Sequence, residues 1–529
     1  MRFLLINPFC PIGEGPTPPL GLSYLAAVLE EAGFQVKVLD LVITPYNYKT
    51  FAELINQFKP QIIGSTAVTM TFDNAIKVIQ DAKLIDPNVI TVMGGPHVTF
   101  CAEETLNSFP DLDLIVIGEG ERTIVELAQK AMTDRDWGKI KGLAFRCDDG
   151  VTFTDNRELL NVDELPLPAR HLVPMGRYKA LNTAVSMTTS RGCPYKCIFC
   201  IGRKMVGGKV RYRNPQFVVD EFEYLSSLGF PQINIADDLF TAKTDHCISI
   251  CEEIIRRGIK IRWSSFARVD RVSDVVLNKM KEAGCHAVSF GVETANEQIL
   301  KTIKKGITIP KVINAIQMCV DAGIEPHVSF ILGLPHETPA TLQETIAFGK
   351  KIEALGASYG YHLLAPFPGT AIRDECEKYD IKVLSNDWSE YHANRAIVET
   401  SEVSKEMLDE IALEWDTATK EKLGEIERKM ATGDATDHEA FQIINLERFL
   451  FIYELLMSRV IEENGHWVNG SKPINEDEDA ISGLAERIYT KLNKDKDKTE
   501  NILKYAFEKG TLNYAVQNDR VHWQWEEYL

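Results

Sequence analysis

Between residues 3 and 364, short aliphatic runs of strand length alternate with amphipathic stretches of helix length. They do so in two successive series, which restricts the chain to α/β architectures built on parallel sheets. In the first series the strand-like runs fall at 3–7, 36–40, 62–67, 89–93 and 114–117, with helical patterns at 20–32, 50–58, 72–84, 102–107 and 122–132. Such a βαβ series winds with right-handed crossovers and places helices on both faces of its sheet, a Rossmann-like domain. The second series has strands at 185–189, 232–236, 261–266, 287–292, 327–332 and 359–364, interleaved with helices at 218–228, 245–257, 273–283, 311–322 and 341–355. Six repeats predict a partial (β/α)6 barrel of the TIM type rather than a closed eightfold one.

In both architectures ligands gather at the carboxyl ends of the strands. In the first series those ends carry Asn7-Pro8-Phe9, Ser65-Thr66-Ala67, Gly94-Gly95-Pro96-His97 and Gly118-Glu119-Gly120-Glu121. Small residues there let a large planar or phosphate-bearing ligand reach the backbone. No G-x-G-x-x-G follows the first run, which disfavours a nicotinamide or flavin dinucleotide. Taken singly, each loop reads equally as a plain turn.

Directly after the first strand of the second series, Cys193, Cys197 and Cys200 crowd into a Gly/Pro-bearing loop with C-x3-C-x2-C spacing. Three thiolates leave a four-iron cluster one ligand short, and an open iron is a place for a substrate. The spacing alone also admits a zinc knuckle. Structural zinc normally closes with a fourth Cys or His at short range, whereas the nearest downstream candidates are His246 and Cys247. The later strands end in Asp237-Asp238, Arg268-Val269-Asp270, Gly291-Val292-Glu293-Thr294 and Gly333-Leu334-Pro335-His336-Glu337, and Tyr361 and His362 lie on the sixth. Any one carboxylate could be a helix cap or a surface charge. Charged residues after successive strands together point to chemistry.

A formal net charge of −18 argues against a nucleic-acid backbone as partner. Eleven cysteines without regular spacing argue for reduced thiols in a cytoplasm rather than a secreted disulfide framework. No apolar run approaches the length of a membrane span, and the N-terminus reads as a first strand, not a signal peptide.

The cysteine loop, with aromatic Phe199 before its last Cys, resembles the radical S-adenosylmethionine (SAM) superfamily. The Asp237-Asp238 and Gly291-Val292-Glu293-Thr294 endings and Phe330-Ile331-Leu332-Gly333-Leu334-Pro335 are similar to that superfamily's later motifs. With the preceding α/β domain, residues 1 to about 370 resemble its cobalamin-dependent branch, which includes methyltransferases and the oxygen-independent magnesium-protoporphyrin ester cyclase. The resemblance implies a [4Fe-4S] cluster on Cys193, Cys197 and Cys200, with SAM near Phe199, Asp237, Arg268 and Glu293; Arg268 could instead pair with Asp270. It implies cobalamin beside Ser65, Thr66, Gly94, Gly95, Gly118 and Glu119. No D-x-H-x-x-G occurs, and His97 is not expected to ligate cobalt. The implied activity is transfer of a methyl group from SAM through methylcobalamin to an unactivated carbon, started by a 5′-deoxyadenosyl radical. The alternative is a cyclase or oxidative tailoring enzyme using the same cofactors, and a remote one is a non-catalytic zinc-binding protein. Anaerobic conditions, a small-molecule or peptide substrate and an external electron donor such as ferredoxin or flavodoxin are also implied.

The expected organisation is a cobalamin-binding domain at 1–135, a hairpin (142–147 and 151–154) and linker at 136–182, the barrel at 183–370, and a helical, substrate-determining region at 371–529. In that last region helices are expected at 405–413, 415–423, 441–460 and 501–507, and the acidic run 475–479 as a solvated helix start or loop. Phe449, Phe451, Tyr453, Trp523, Trp525 and Tyr528 could line a pocket but more often would be core.

Overall fold

The computed structural model describes residues 1–10, 15–468 and 476–529. Position 475 of the acidic run lies outside the described residues; the rest of the run opens a helix at Asp477–Leu492.

The first sheet has seven strands: β1 (Arg2–Asn7), β2 (Gln35–Asp40), β3 (Ile62–Thr66), β4 (Ile90–Gly94), β5 (Leu114–Val116), β6 (Leu143–Cys147) and β7 (Gly150–Phe153), in the order β2-β1-β3-β4-β5-β6-β7. The β1 to β5 pairs are parallel. In β1, Phe3, Leu4, Leu5 and Ile6 are all buried, because helices cover both faces and side chains of either orientation meet a core. The sequence after β1 winds to β2 on one side and β3 on the other, so a crevice opens at their carboxyl ends. The hairpin β6–β7 pairs antiparallel with β5 through Leu114 and Phe145, so it extends this sheet.

The second sheet is parallel throughout: β8 (Val185–Met187), β11 (Gln232–Ile235), β12 (Arg262–Ala267), β13 (Cys285–Glu293), β14 (Glu325–Leu332) and β15 (Ser358–Leu363), in that spatial order. Between β8 and β11 the chain makes a small antiparallel pair, β9 (Ser190–Arg191) and β10 (Arg211–Tyr212). All six expected barrel strands form. No pairing between β8 and β15 occurs among the described residues, which leaves a partial barrel. Side chains alternate along β14: Val328, Phe330 and Leu332 pack under the helices, and His327 faces the lumen beside Ser358 at 2.9 Å.

After a short pair, β16 (Lys382–Val383) and β17 (Val398–Glu399), the chain becomes mainly helical. The two helices expected at 405–413 and 415–423 are one, Lys405–Thr432, since nothing between them breaks the hydrogen-bond ladder. The C-terminal region also holds a three-stranded antiparallel sheet, β18 (His466–Val468), β19 (Leu512–Gln517) and β20 (Arg520–Trp525), which the sequence reading did not anticipate. Trp523 and Trp525 are buried in the same core as the barrel, and Tyr528 is exposed. Among the described residues no helix is long and apolar enough to cross a membrane.

Candidate functional site

The entry of the cysteine loop is held by paired aspartates. Asp237, after β11, is buried and receives the Thr189 N–H (2.6 Å), the Thr189 hydroxyl (2.6 Å) and the Ser190 hydroxyl (2.7 Å). Burial pushes its carboxyl up, and these donors pull the other way. Asp238 accepts the N–H of Gly192 at 2.9 Å. Gly192 has φ +117°, and a Cβ there would stand 2.5 Å from the Lys209 carbonyl, so only glycine fits where the loop leaves β9. Asp237, expected at SAM, is thus turned to the strand that feeds the loop, its oxygens already bonded.

Within the loop, Ile198 is buried and its backbone is bonded on both sides, N–H to the Ile303 carbonyl (3.2 Å) and carbonyl to the Ile372 N–H (3.1 Å). That plants the loop between the β13 and β15 ends and leaves its thiols free of disulfides. The Gly202 N–H donates to Cys200 Sγ at 3.3 Å. Desolvation raises the Cys197 and Cys200 thiols, as expected for sulfurs in a partly closed pocket without a metal charge beside them. Among the described residues no three His, Cys, Asp or Glu side chains converge on a single-ion site. Three soft donors on one loop suit a multi-iron cluster with one iron unligated by protein.

Around the loop stand the barrel's charged strand ends. Glu293 closes β13 with φ +74°, an uncommon conformation for a non-glycine residue, at a register shift against β14. It is buried and receives the Lys305 ammonium at 2.6 Å. Lys305 Nζ also lies 5.8 Å from the Phe199 ring centroid, so Phe199, Glu293 and Lys305 form one group at the barrel mouth. Arg268 instead pairs with Asp270 (3.0 Å), donates to the Lys305 carbonyl (2.7 Å) and stacks 3.5 Å from the Tyr195 centroid. Its Nε and Nη2 are engaged within the protein, and it supports the loop through Tyr195. Glu337, wholly buried, accepts the N–H groups of Gly333 (2.6 Å) and Leu334 (3.0 Å), while burial pushes its carboxyl up to about 8.

The crevice at the first sheet's carboxyl edge encloses a cavity of about 420 Å³. All six expected residues line it: Ser65, Thr66, Gly94, Gly95, Gly118 and Glu119, over an apolar floor of Leu5, Val92 and Val116. Gly95 has φ +104°, and a Cβ would lie 2.7 Å from the Ala67 carbonyl. Its opposite wall is Arg191, Met205 and Val206, which flank the cysteine loop. A largely apolar slot walled by small residues fits part of a large flat cofactor, and its shared wall sets that cofactor beside the cluster loop. His97 is buried against Phe72 and Trp388 and within 3.4 Å of the Thr69 hydroxyl; desolvation lowers it to about 4.

Glu119 lines the cavity, yet its carboxylate is held bidentately by Arg211 (2.9 and 2.7 Å), and Glu121 pairs with Arg191 at 2.7 Å. These bonds lock the first sheet to β9 and β10. Below them Glu221 bridges Arg170 and Arg213, each at 2.7 Å, with all three side chains almost fully buried. The arginines at 191 and 211 and Lys305 escaped the sequence reading. Periodicity carries no signal for a pair about ninety residues apart, though the basic Lys304-Lys305-Gly306 turn after the helix Glu297–Thr302 was visible.

A doubly wound cofactor crevice abutting a three-cysteine loop on a partial barrel defines a radical enzyme with a corrinoid-type domain. Family models agree: the B12 binding domain matches residues 13–128, and the Radical SAM superfamily matches residues 187–349. The chain is 35% identical over 397 residues to an uncharacterized methyltransferase of Pyrococcus horikoshii, covering 74% of this chain and 86% of that one. It is 30% identical over 432 residues to the anaerobic magnesium-protoporphyrin IX monomethyl ester cyclase of Rubrivivax gelatinosus, covering 78% and 76%. The fold matches that of OxsB, a cobalamin-dependent S-adenosylmethionine radical enzyme, with TM-score 0.68 and 18% identity over 96% of this chain and 83% of that one. The chain belongs to the cobalamin-dependent branch of the radical SAM superfamily, whose cofactors are a [4Fe-4S] cluster, SAM and cobalamin.

Proposed function

We propose that the protein is a methyltransferase that moves a methyl group from SAM, by way of cobalamin, to an unactivated carbon of a small molecule or peptide in the cytoplasm. The carrying observation is the shared wall: Arg191, Met205 and Val206 line the cofactor crevice and flank Cys193 to Cys200. When bound, the cluster supplies the electron that cleaves SAM and cobalamin supplies the methyl group. Cys193, Cys197 and Cys200 would hold the cluster. Glu293 and Lys305 offer SAM a carboxylate and an ammonium at the barrel mouth, while Gly94 and Gly95 admit the corrinoid to the backbone. Asp237 and Asp238 hold the loop's entry, and the Glu119–Arg211 and Glu121–Arg191 pairs fix the distance between the two sites.

The methyltransferase relative supports this reading, and the cyclase relative supports a second, radical chemistry without methyl transfer. Anaerobic, cofactor-loaded protein incubated with SAM and a reductant separates the two. Cobalamin-dependent release of S-adenosylhomocysteine is expected. 5′-Deoxyadenosine alone would sink methyl transfer in favour of the cyclase type. Cys197→Ala is expected to abolish 5′-deoxyadenosine formation, and retained formation would overturn the cluster assignment.

A further inference from the structure

Asn7 and Asp40 end the neighbouring strands β1 and β2 side by side, paired in register at the crevice. Pro8 follows Asn7 and keeps it extended, so the ladder stops there with the Asn7 side chain at its edge. Asn7 lines the cavity, whereas Asp40 is only 2% exposed and forms no part of its wall. The Asp40 carboxylate accepts three hydrogen bonds: Asn7 Nδ2–H at 2.8 Å, the Val42 N–H at 3.2 Å and the Tyr178 O–H at 2.6 Å. All three donors are neutral, and among the described residues no cation pairs with it. Burial pushes its carboxyl up to about 6 while the donors pull the other way, so at neutral pH it is a carboxylate. A carboxylate only accepts, so the end of the Asn7 amide turned towards it is the NH2 group. That fixes the other end. The Asn7 amide oxygen has no hydrogen-bond partner among the described residues, while the cavity's charged groups Glu119, Glu121 and Arg191 are already bonded within the protein.

We propose that Asp40 is a positioning residue that turns the Asn7 amide so that its oxygen accepts a hydrogen bond from an N–H or O–H group of the bound cofactor. The inference rests on the reading of the crevice as the cobalamin seat. Cobalamin offers such donors in two places, the amides around its corrin ring and the hydroxyl and amide groups of its nucleotide tail. Asp40 touches no ligand itself and acts through Asn7. A buried carboxylate without a counter-charge is costly, and a neutral partner in its place would let Asn7 turn either end to the cofactor. The negative charge therefore imposes an orientation that packing alone does not. Tyr178 is wholly buried on the helix Met175–Ala180, so the same carboxylate fastens the crevice edge to the segment that joins the two sheets.

The test measures corrinoid binding to the full-length, cluster-loaded protein by anaerobic equilibrium dialysis, with two probes: hydroxocobalamin, and cobinamide, which lacks the nucleotide tail. Wild type is compared with Asn7→Ala, Asp40→Asn and the double variant. Asn7→Ala is expected to weaken hydroxocobalamin binding about threefold to tenfold, the worth of one hydrogen bond. Asp40→Asn, whose amide can present either end to Asn7, is expected to weaken it about threefold. In the Asn7→Ala background the Asp40 substitution is expected to cost no further affinity, because its effect passes through Asn7. Iron content is expected to be unchanged throughout. An equal loss in both backgrounds overturns the proposal, since a merely structural role of Asp40 would carry over undiminished. Asn7→Ala binding as tightly as wild type overturns it too, and that variant decides the case alone should Asp40→Asn fail to fold. Weakened binding of both corrinoids by Asn7→Ala supports the proposal with the donor on the corrin ring, and weakened binding of hydroxocobalamin alone supports it with the donor on the tail. Wild type that binds neither corrinoid overturns the reading of the crevice itself, and the proposal with it.

Discussion

The first sheet and the barrel sheet finish their strands in opposite ways. The first ends in glycines and hydroxyls, Ser65, Thr66, Gly94, Gly95 and Gly118, and the two acids that line it there, Glu119 and Glu121, are neutralised by Arg211 and Arg191. The second ends in charged groups, Asp237, Arg268, Glu293 and Glu337. Bare backbone suits a ligand recognised by shape over a broad face, where every added methyl collides. Charged ends suit a small zwitterion recognised by a few strong bonds, and they also have to be balanced internally. Asp237, Arg268 and Glu337 turn out to serve that balance, leaving Glu293 with Lys305 as the pair at the mouth.

The sharpest way to break this contrast is to give the bare edge a side chain. At Gly95 a valine meets both a positive φ and the Ala67 carbonyl, a strain of about 1–3 kcal/mol. Gly95→Val is expected to weaken cobalamin binding roughly 10- to 100-fold, measured by equilibrium binding, with iron content unchanged; equal loss of both cofactors would mean the two edges are not independent.

A smaller effect is expected where the edges are joined. Glu119→Gln leaves Arg211 partly buried without its charge partner, a loss of about 1–3 kcal/mol. The expected outcome is a ratio of methylated product to 5′-deoxyadenosine about threefold to tenfold lower, read by chromatography, with both cofactors still bound. An unchanged ratio would show that the clamp does not set the distance between the sites.

An effect on stability rather than on the cofactor sites lies in the internally balanced charge. Because burial raises Glu337 to about 8, the folded protein keeps a proton there that the unfolded chain releases above its ordinary value of 4.5. Folding then binds a proton between those two values, so this group's contribution to stability falls as pH rises through that window, by at most about 1.4 kcal/mol per pH unit. Glu337→Gln, which keeps an acceptor for Gly333 and Leu334, is expected to flatten the decline in a denaturant titration repeated across pH.

Much of this could be read in the sequence wherever local pattern was decisive. Strand runs buried on both faces announce themselves, as in β1, and the cysteine loop, taken with its family resemblance, pointed to its chemistry. The C-terminal sheet went unread although its turn was written out. Asn518 and Asp519, with φ +51° and +59°, form a two-residue hairpin loop, and Trp523 and Trp525 sit at strand spacing, but the surrounding helical stretch governed the reading. The partners of Asp237 and Arg268 were not legible for another reason. A charged residue after a barrel strand can face the ligand or tie the loop, and only the three-dimensional partners decide. Glu119 illustrates both outcomes at once, lining the cavity with its backbone turn while its carboxylate binds across the domain boundary.

The contacts of Arg177 bear on the order in which the molecule is assembled. This residue, in the helix Met175–Ala180 that joins the two sheets, grips Glu527 and Glu462, and the Gly176 N–H bonds the Glu527 carbonyl at 3.1 Å. Both acids are synthesised after everything they fasten. On a ribosome the two α/β units, and the Glu119–Arg211 and Glu121–Arg191 bonds between them, can form as the chain emerges, whereas Arg177 waits for partners made hundreds of codons later. The helix between the two units would therefore stay without its charge partners until the last residues of the chain arrive.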